Sequence, residues 1–239
     1  MRTLSQASAA VAFMALAIFA TASLAADKRE ARPVSGFKGI DLAVPGKLEI
    51  VQDGTESLTL EGPEDVLPDI ETTVRNDGVL IIRPRSRINW GWKNDLRIVA
   101  HMKQVESVAV AGSADVHAQS LRASKLLFAI SGSGNIDVAS IEADSAHLTV
   151  SGSGDIRLAG RAASVASHVS GSGNIKAPKL EARRVTASIA GSGDIALWAR
   201  ESLEVKIAGS GDVRYYGDPS IEKRIVGSGK VERLGPAPT

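Results

Sequence analysis

Along the C-terminal half of the chain, apolar and polar positions follow one pattern seven times over. A β-branched residue stands two places before a glycine at Val110, Ile130, Val150, Val169, Ile189, Ile207 and Ile225, and another four places after it at Val116, Ile136, Ile156, Ile175, Ile195, Val213 and Val231. Between the two lies a short phrase of the type Gly-Ser-Gly-Asp/Asn, as in Ser-Gly-Ser-Gly-Asp-Ile at 151–156. β-branched residues favour extended backbone, whereas the phrase interrupts a strand and permits positive φ at a corner. The pattern predicts strand, tight corner, strand. Four places before the glycine, Val108, Phe128, Leu148, Ser167, Ala187, Val205 and Lys223 keep the alternation in most copies and lose it toward the C-terminal end.

The first glycines, Gly112, Gly132, Gly152, Gly171, Gly191, Gly209 and Gly227, are spaced by 20, 20, 19, 20, 18 and 18 residues. Such a period is the mark of stacked structural repeats, and it is too short for a strand-helix-strand crossover. Stacked about 4.8 Å apart along an axis, the two Val/Ile rows become inward ladders that no single repeat could bury alone. Length differences are expected after the corners, as in Leu158-Ala159-Gly160-Arg161 and Tyr215-Tyr216-Gly217-Asp218-Pro219.

Residues 33–110 lack the phrase but keep strand patterning. Ile40, Leu42 and Val44 alternate, as do Leu48 with Ile50 and Leu58 with Leu60, and Pro45-Gly46 and Asp53-Gly54 supply turns. Further strands run from Val79 to Arg83, after Asn76-Asp77-Gly78, and from Leu96 to Ala100. This portion reads as the less regular start of the same solenoid, capping its open end. The aromatics are few, Phe 4, Trp 3 and Tyr 2, which suits a narrow aliphatic core.

Arg2, an apolar run from Ala9 to Phe19 and then Ala22-Ser23-Leu24-Ala25 follow the order of a secretory signal peptide, with cleavage expected near Ala25. The apolar stretch, about 15 residues, falls short of the roughly 20 that span a bilayer. The absence of cysteine excludes a disulfide framework and lipid attachment to cysteine. Cleavage removes one of the 28 Lys and Arg residues, leaving as many cations as the 27 acids. That balance gives no general pull toward nucleic acid or anionic lipid.

The mature chain resembles the auto-transporter adhesin head GIN domain family, whose biochemical function is unknown. The resemblance rests on Phe37-Lys38-Gly39-Ile40, Leu48-Glu49-Ile50, Val79-Leu80-Ile81-Ile82 and above all the Gly-Ser-Gly-Asp/Asn-Ile/Val repeats, and covers roughly residues 36–232. It implies an all-β, right-handed parallel β-helix-like solenoid in an exported protein, with adhesion suggested by the family name. An auto-transporter carries a C-terminal membrane barrel, and here the sequence closes on Leu234-Gly235-Pro236-Ala237-Pro238-Thr239. The expected location is therefore the periplasm or beyond it. The expected organisation is a signal peptide at 1–25, a linker at 26–35, one solenoid domain at 36–232 and a tail at 233–239. Within that domain, 36–110 forms irregular first coils and 111–232 the regular repeats.

Two sets of residues are candidates for chemistry. The row Asp115, Asn135, Asp155, Asn174, Asp194 and Asp212 could hold calcium, but calcium takes six to eight oxygens and rolls that bind it repeat every nine residues. Only one corner occurs per 18 to 20 residues here, so the row reads as corner capping. The serine row shows no Gly-x-Ser-x-Gly elbow, and His101, His117, His147 and His168 share no repeat position. The segment holding Arg85, Arg87, Trp90, Trp92 and Lys93 is singular: cations beside tryptophans suit a glycan, an anionic polymer or a protein partner. The leading expectation is a non-enzymatic, cofactor-free envelope protein that binds a protein or glycan, with room for an oligomer. A carbohydrate-active enzyme and a calcium-dependent roll are the alternatives.

Overall fold

The computed structural model describes residues 27–85 and 96–238. Its first seven strands are β1 (Asp27–Arg32), β2 (Gly39–Leu42), β3 (Lys47–Gln52), β4 (Ser57–Pro63), β5 (Ile70–Val74), β6 (Val79–Pro84) and β7 (Arg97–Met102). Then follow β8 (Ser107–Gly112), β9 (Asp115–Ala118), β10 (Leu121–Gly132), β11 (Asn135–Gly152), β12 (Asp155–Gly171) and β13 (Asn174–Gly191). The last four are β14 (Ile195–Gly209), β15 (Val213–Tyr216), β16 (Ser220–Gly227) and β17 (Val231–Gly235). Together they wind a β-solenoid of about six turns.

From β8 onward the coils stack in sequence order and in parallel. Ile130 lies opposite Val150, Val150 opposite Val169, Val169 opposite Ile189, and Ile189 opposite Ile207. Buried at this depth, each such side chain stabilises the fold by about 1.5–3 kcal/mol. Register shifts fall between Val138 and Ile141, Arg157 and Ala159, and Ala177 and Glu181, at the bend after each corner. Differences in coil length are absorbed there without disturbing the inward ladders.

The corner is built from two stacked glycine rows. Each first glycine has positive φ, +129° at Gly152, and a Cβ there would collide with the carbonyl oxygen of Gly132 one coil below. The carbonyl of Gly132 accepts two bonds from the next coil, from Ser153 N–H at 2.9 Å and Gly154 N–H at 3.1 Å. A Cβ on Gly154 would strike the Gly134 carbonyl and the Ile130 side chain. The phrase repeats because every coil presses its backbone onto the same corner of its neighbour.

The N-terminal portion belongs to the solenoid but breaks its order. Strand β2 lies between β6 and β8, and β3 lies between β7 and β9. The coil met first in sequence is thus inserted between the second and the third. Corner bonds bear this out: Lys47 N–H donates to Leu96 O and Asp115 N–H to Gly46 O, both at 2.9 Å. Beyond β7 the end is closed by antiparallel strands, β4 on β7 and β1 on β4, while β5 pairs antiparallel with β6. Residues 27–32, expected within a linker, form β1, whose five charged side chains out of six gave no alternation to read. At the other end, β17 carries the sheet to Gly235, into the expected tail.

Candidate functional site

The Asp/Asn row runs as one line up the corner. Asn135 Nδ2 donates to Asp115 Oδ1 at 2.7 Å and Asn174 Nδ2 to Asp155 Oδ1 at 2.8 Å. Higher up, side-chain oxygens accept from the backbone of the next coil: Asp194 N–H to Asn174 Oδ1 at 3.0 Å, Asp212 N–H to Asp194 Oδ1 and Lys230 N–H to Asp212 Oδ1, both at 2.9 Å. Asp155 also takes Arg157 and Lys176 on Oδ2, each at 2.7 Å. Burial alone would raise its pKa, but the hydrogen bonds from Lys176 and Asn174 and the charges of Lys176 and Arg157 outweigh it and leave the carboxyl below its ordinary range. Two aspartates adjoin directly, Asp194 and Asp212, and Arg214 reaches both, at 3.3 and 3.6 Å. The row spends its oxygens on the neighbouring coil and on cations. Among the described residues no three His, Asp or Glu side chains converge as a metal site.

Of the segment singled out in the sequence, Arg87, Trp90, Trp92 and Lys93 lie outside the described residues. Arg85 follows β6 directly and is exposed, with its N–H bonded to Asp69 O at 2.8 Å. Strands β6 and β7, which precede and follow that segment in the sequence, pair with β2 and β3 of the neighbouring coil. His147 and His168 both face outward, opposite Ala166 and Thr149. His101 Nδ1 lies 2.6 Å from Asp53 Oδ2. Hydrogen bonds from Thr55 and from His101 hold that carboxyl at about 2.

A feature not anticipated from the sequence is a groove of about 790 Å³ along the flank of the regular coils. Within β10 to β13 small residues stack, Ala123 on Ala143, Ala143 on Ala162 and Ala162 on Ala182. One wall is a ladder of alternating charge: Arg122 stands opposite Glu142, Glu142 opposite Arg161, and Arg161 opposite Glu181. Arg122 pairs with Glu142 at 2.6 Å, and Arg200 reaches Glu181 at 2.6 Å from the following coil. The other wall carries Ser124, Asp144, Arg183 and Glu201. Among the described residues Arg161 and Arg183 form no ion pair, so two guanidiniums face the groove with donors to spare. The signal lay in the repeat alignment: each ladder residue follows a first glycine by nine or ten positions.

Solved structures resemble this fold over nearly their whole length. A putative adhesin from Bacteroides fragilis NCTC 9343 superposes with a TM-score of 0.83 at 27% identity, covering 87% of this chain and 97% of that one. A putative lipid binding protein from Parabacteroides distasonis ATCC 8503 gives a TM-score of 0.71 at 25% identity, covering 87% and 96%. A putative adhesin from the same organism, at 21% identity and a TM-score of 0.69 over 87% and 97%, shares the fold. No curated protein matches the sequence. Residues 36–219 match the family described as "Putative auto-transporter adhesin, head GIN domain". With more than half its length matched, on a solenoid built from the corner phrase that first suggested the family, the chain belongs to the auto-transporter adhesin head GIN domain family.

Proposed function

We propose that the chain is exported, with cleavage near Ala25, and acts in the periplasm or beyond as a non-enzymatic, adhesion-type binding protein. The observation that carries this reading is the flank groove, a long polar surface repeated coil by coil rather than a single convergent site. Such a surface holds an extended ligand along its length. Among the described residues, the carboxylates whose acidity departs clearly from the ordinary, Asp53, Glu71, Asp77 and Asp155, all shift downward. A general acid of a glycosidase needs the opposite, which weighs against a carbohydrate-active enzyme. Charged walls also suit a glycan or a protein better than an acyl chain. No helix of the described residues is long and apolar enough to cross a membrane.

The segment bearing Arg85, Arg87, Trp90, Trp92 and Lys93 is proposed as a second contact with the ligand. Glycan arrays and pull-downs from envelope fractions test the reading: retention of a defined glycan or protein without turnover is expected. Cleavage of a polysaccharide, or no retention under any condition, overturns it. Trp90→Ala with Trp92→Ala should weaken retention, and an unchanged signal removes that segment from the account.

A further inference from the structure

The proposed binding role leaves the ligand class open, and the charge order of the groove narrows it. Arg122 and Arg161 stand on the ladder two coils apart, about 9.6 Å along the axis, and Arg200, two coils further, reaches Glu181 from beside the ladder, where Trp198 is the register partner of Glu181. That distance is close to one disaccharide of an extended polysaccharide. Between them stand Glu142 and Glu181. We propose that the groove binds an extended glycan in which acidic and neutral sugars alternate.

Each part of the wall then has a partner. A guanidinium meets a uronate carboxylate with two parallel hydrogen bonds, and Arg161, free of ion pairs among the described residues, is placed to do so at the centre of the groove. A glutamate carboxylate only accepts hydrogen bonds, which suits the hydroxyls of the neutral sugar between two uronates. The alanine floor brings the sugar faces close to the sheet. Arg183 on the opposite wall supplies a second cation level with the upper coils.

The same order rejects other polymers. A chain with an acid on every sugar sets carboxylates against Glu142 and Glu181, a juxtaposition that costs affinity. A neutral glycan leaves the arginines with nothing to gain over water. An extended peptide advances about 3.3 Å per residue, so only a charge on every third residue keeps step with the ladder, and successive charges of that spacing point to opposite faces of the strand.

The assignment rests on the adhesion-type reading, and the experiment separates the two. Fluorescence anisotropy at low salt compares three labelled probes of equal length: a hyaluronan oligosaccharide, in which glucuronate alternates with a neutral amino sugar, an oligogalacturonate with an acid on every residue, and a neutral dextran fragment. The wild-type chain is expected to bind the first and discriminate against the other two. Arg161→Ala, an exposed substitution whose folding an unchanged melting curve verifies, should weaken hyaluronan binding at least about tenfold, as loss of a charge-assisted hydrogen bond does. Glu142→Gln with Glu181→Gln should raise oligogalacturonate binding by a comparable factor. Absence of hyaluronan binding, or binding indifferent to Arg161→Ala, overturns the assignment. If other glycans are then still retained, the groove's proposed ligand class fails while the adhesion-type reading stands.

Discussion

Two regions of one sheet follow different rules. From β8 to β16 each coil meets the coil before it and the coil after it, corner glycine on corner glycine, and the sequence repeats because the contacts repeat. Between Asp27 and Met102 each strand has a different set of neighbours, some antiparallel, and β2 and β3 are inserted out of sequence order. Regular sequence marks regular contacts, and its loss marks where the chain closes the end of its own core. The two ends differ accordingly. At the start, β1 and β4 cover the sheet edge with hydrogen-bonded strands and charged side chains. At the finish, the inward row that is 2% exposed at Ile207 is 36% exposed at Ile225, and among the described residues four of the five exposed large apolar side chains lie in the last coil.

The glycine rows give the largest expected effect. Gly152→Ala must shift the Gly132 backbone and accept a strained φ, a loss of about 3 kcal/mol or more in urea unfolding. Gly112→Ala, on the rung where the order changes, has nothing within 4 Å of the added methyl. It should cost only backbone strain, about 1–2 kcal/mol. Equal losses would mean the corners are not in contact from coil to coil.

The open end makes the next prediction. Lys223 occupies the inward position that Val205 fills one coil below, and Arg233 covers Tyr215 in the same way, its Nε bonded to Gly217 O at 2.7 Å. Their apolar stems lie over the end of the core while the charges reach water, a device that keeps free strand edges from pairing. Lys223→Val should tighten self-association at least about tenfold in sedimentation velocity, the gain expected from exchanging a charge for an apolar edge. An unchanged sedimentation pattern would leave the last coil blocked by something other than Lys223.

A smaller effect concerns the one buried polar side chain in the stacked core. Ser167 is 4% exposed, its Oγ without a hydrogen-bond partner, stacked in its row between Leu148 and Ala187. Ser167→Ala should therefore stabilise the protein by about 1 kcal/mol, seen as a higher melting temperature. The smallest effect is electrostatic. Because Asp155 has a folded pKa below its ordinary 3.8, its contribution is complete above that value and is lost as the pH falls through the folded one. The stability gap between wild type and Asp155→Asn should narrow below pH 3.8. A gap independent of pH would deny the carboxylate its ion pairs.

Much of this was legible in the residues. The Val/Ile rows and the glycine phrase led directly to coils and corners, because local pattern and long-range contact agree wherever the coils are serial. The insertion of β2 between β6 and β8 was not legible: Ile40, Leu80 and Val108 are interchangeable as inward apolar residues, and alternation alone does not say which strand lies beside which. Charged β1 was missed for want of any alternation. The groove escaped notice because Arg122, Glu142, Arg161 and Glu181 alternate in sign, so no single residue type recurs at that repeat position. The glycine phrase is uniform in residue type, whereas the ladder that lines the groove is uniform only in position.

The order of the first coils is the claim on which the account of both ends depends, and a chain without cysteine allows a direct test. Asp41 and Ala109 are register partners on β2 and β8, whereas Ile81 is the partner of Asp41 on its other side. Neighbouring strands put Cα atoms about 4.8 Å apart, within disulfide reach, and strands two coils apart about 9.6 Å, beyond it. Under mild oxidation Asp41→Cys with Ala109→Cys should cross-link rapidly within one chain, while Ile81→Cys with Ala109→Cys should not, as read by mobility on non-reducing gels. Efficient cross-linking of the 81–109 pair and failure of the 41–109 pair would show the coils stacked in simple sequence order and contradict the inserted strand.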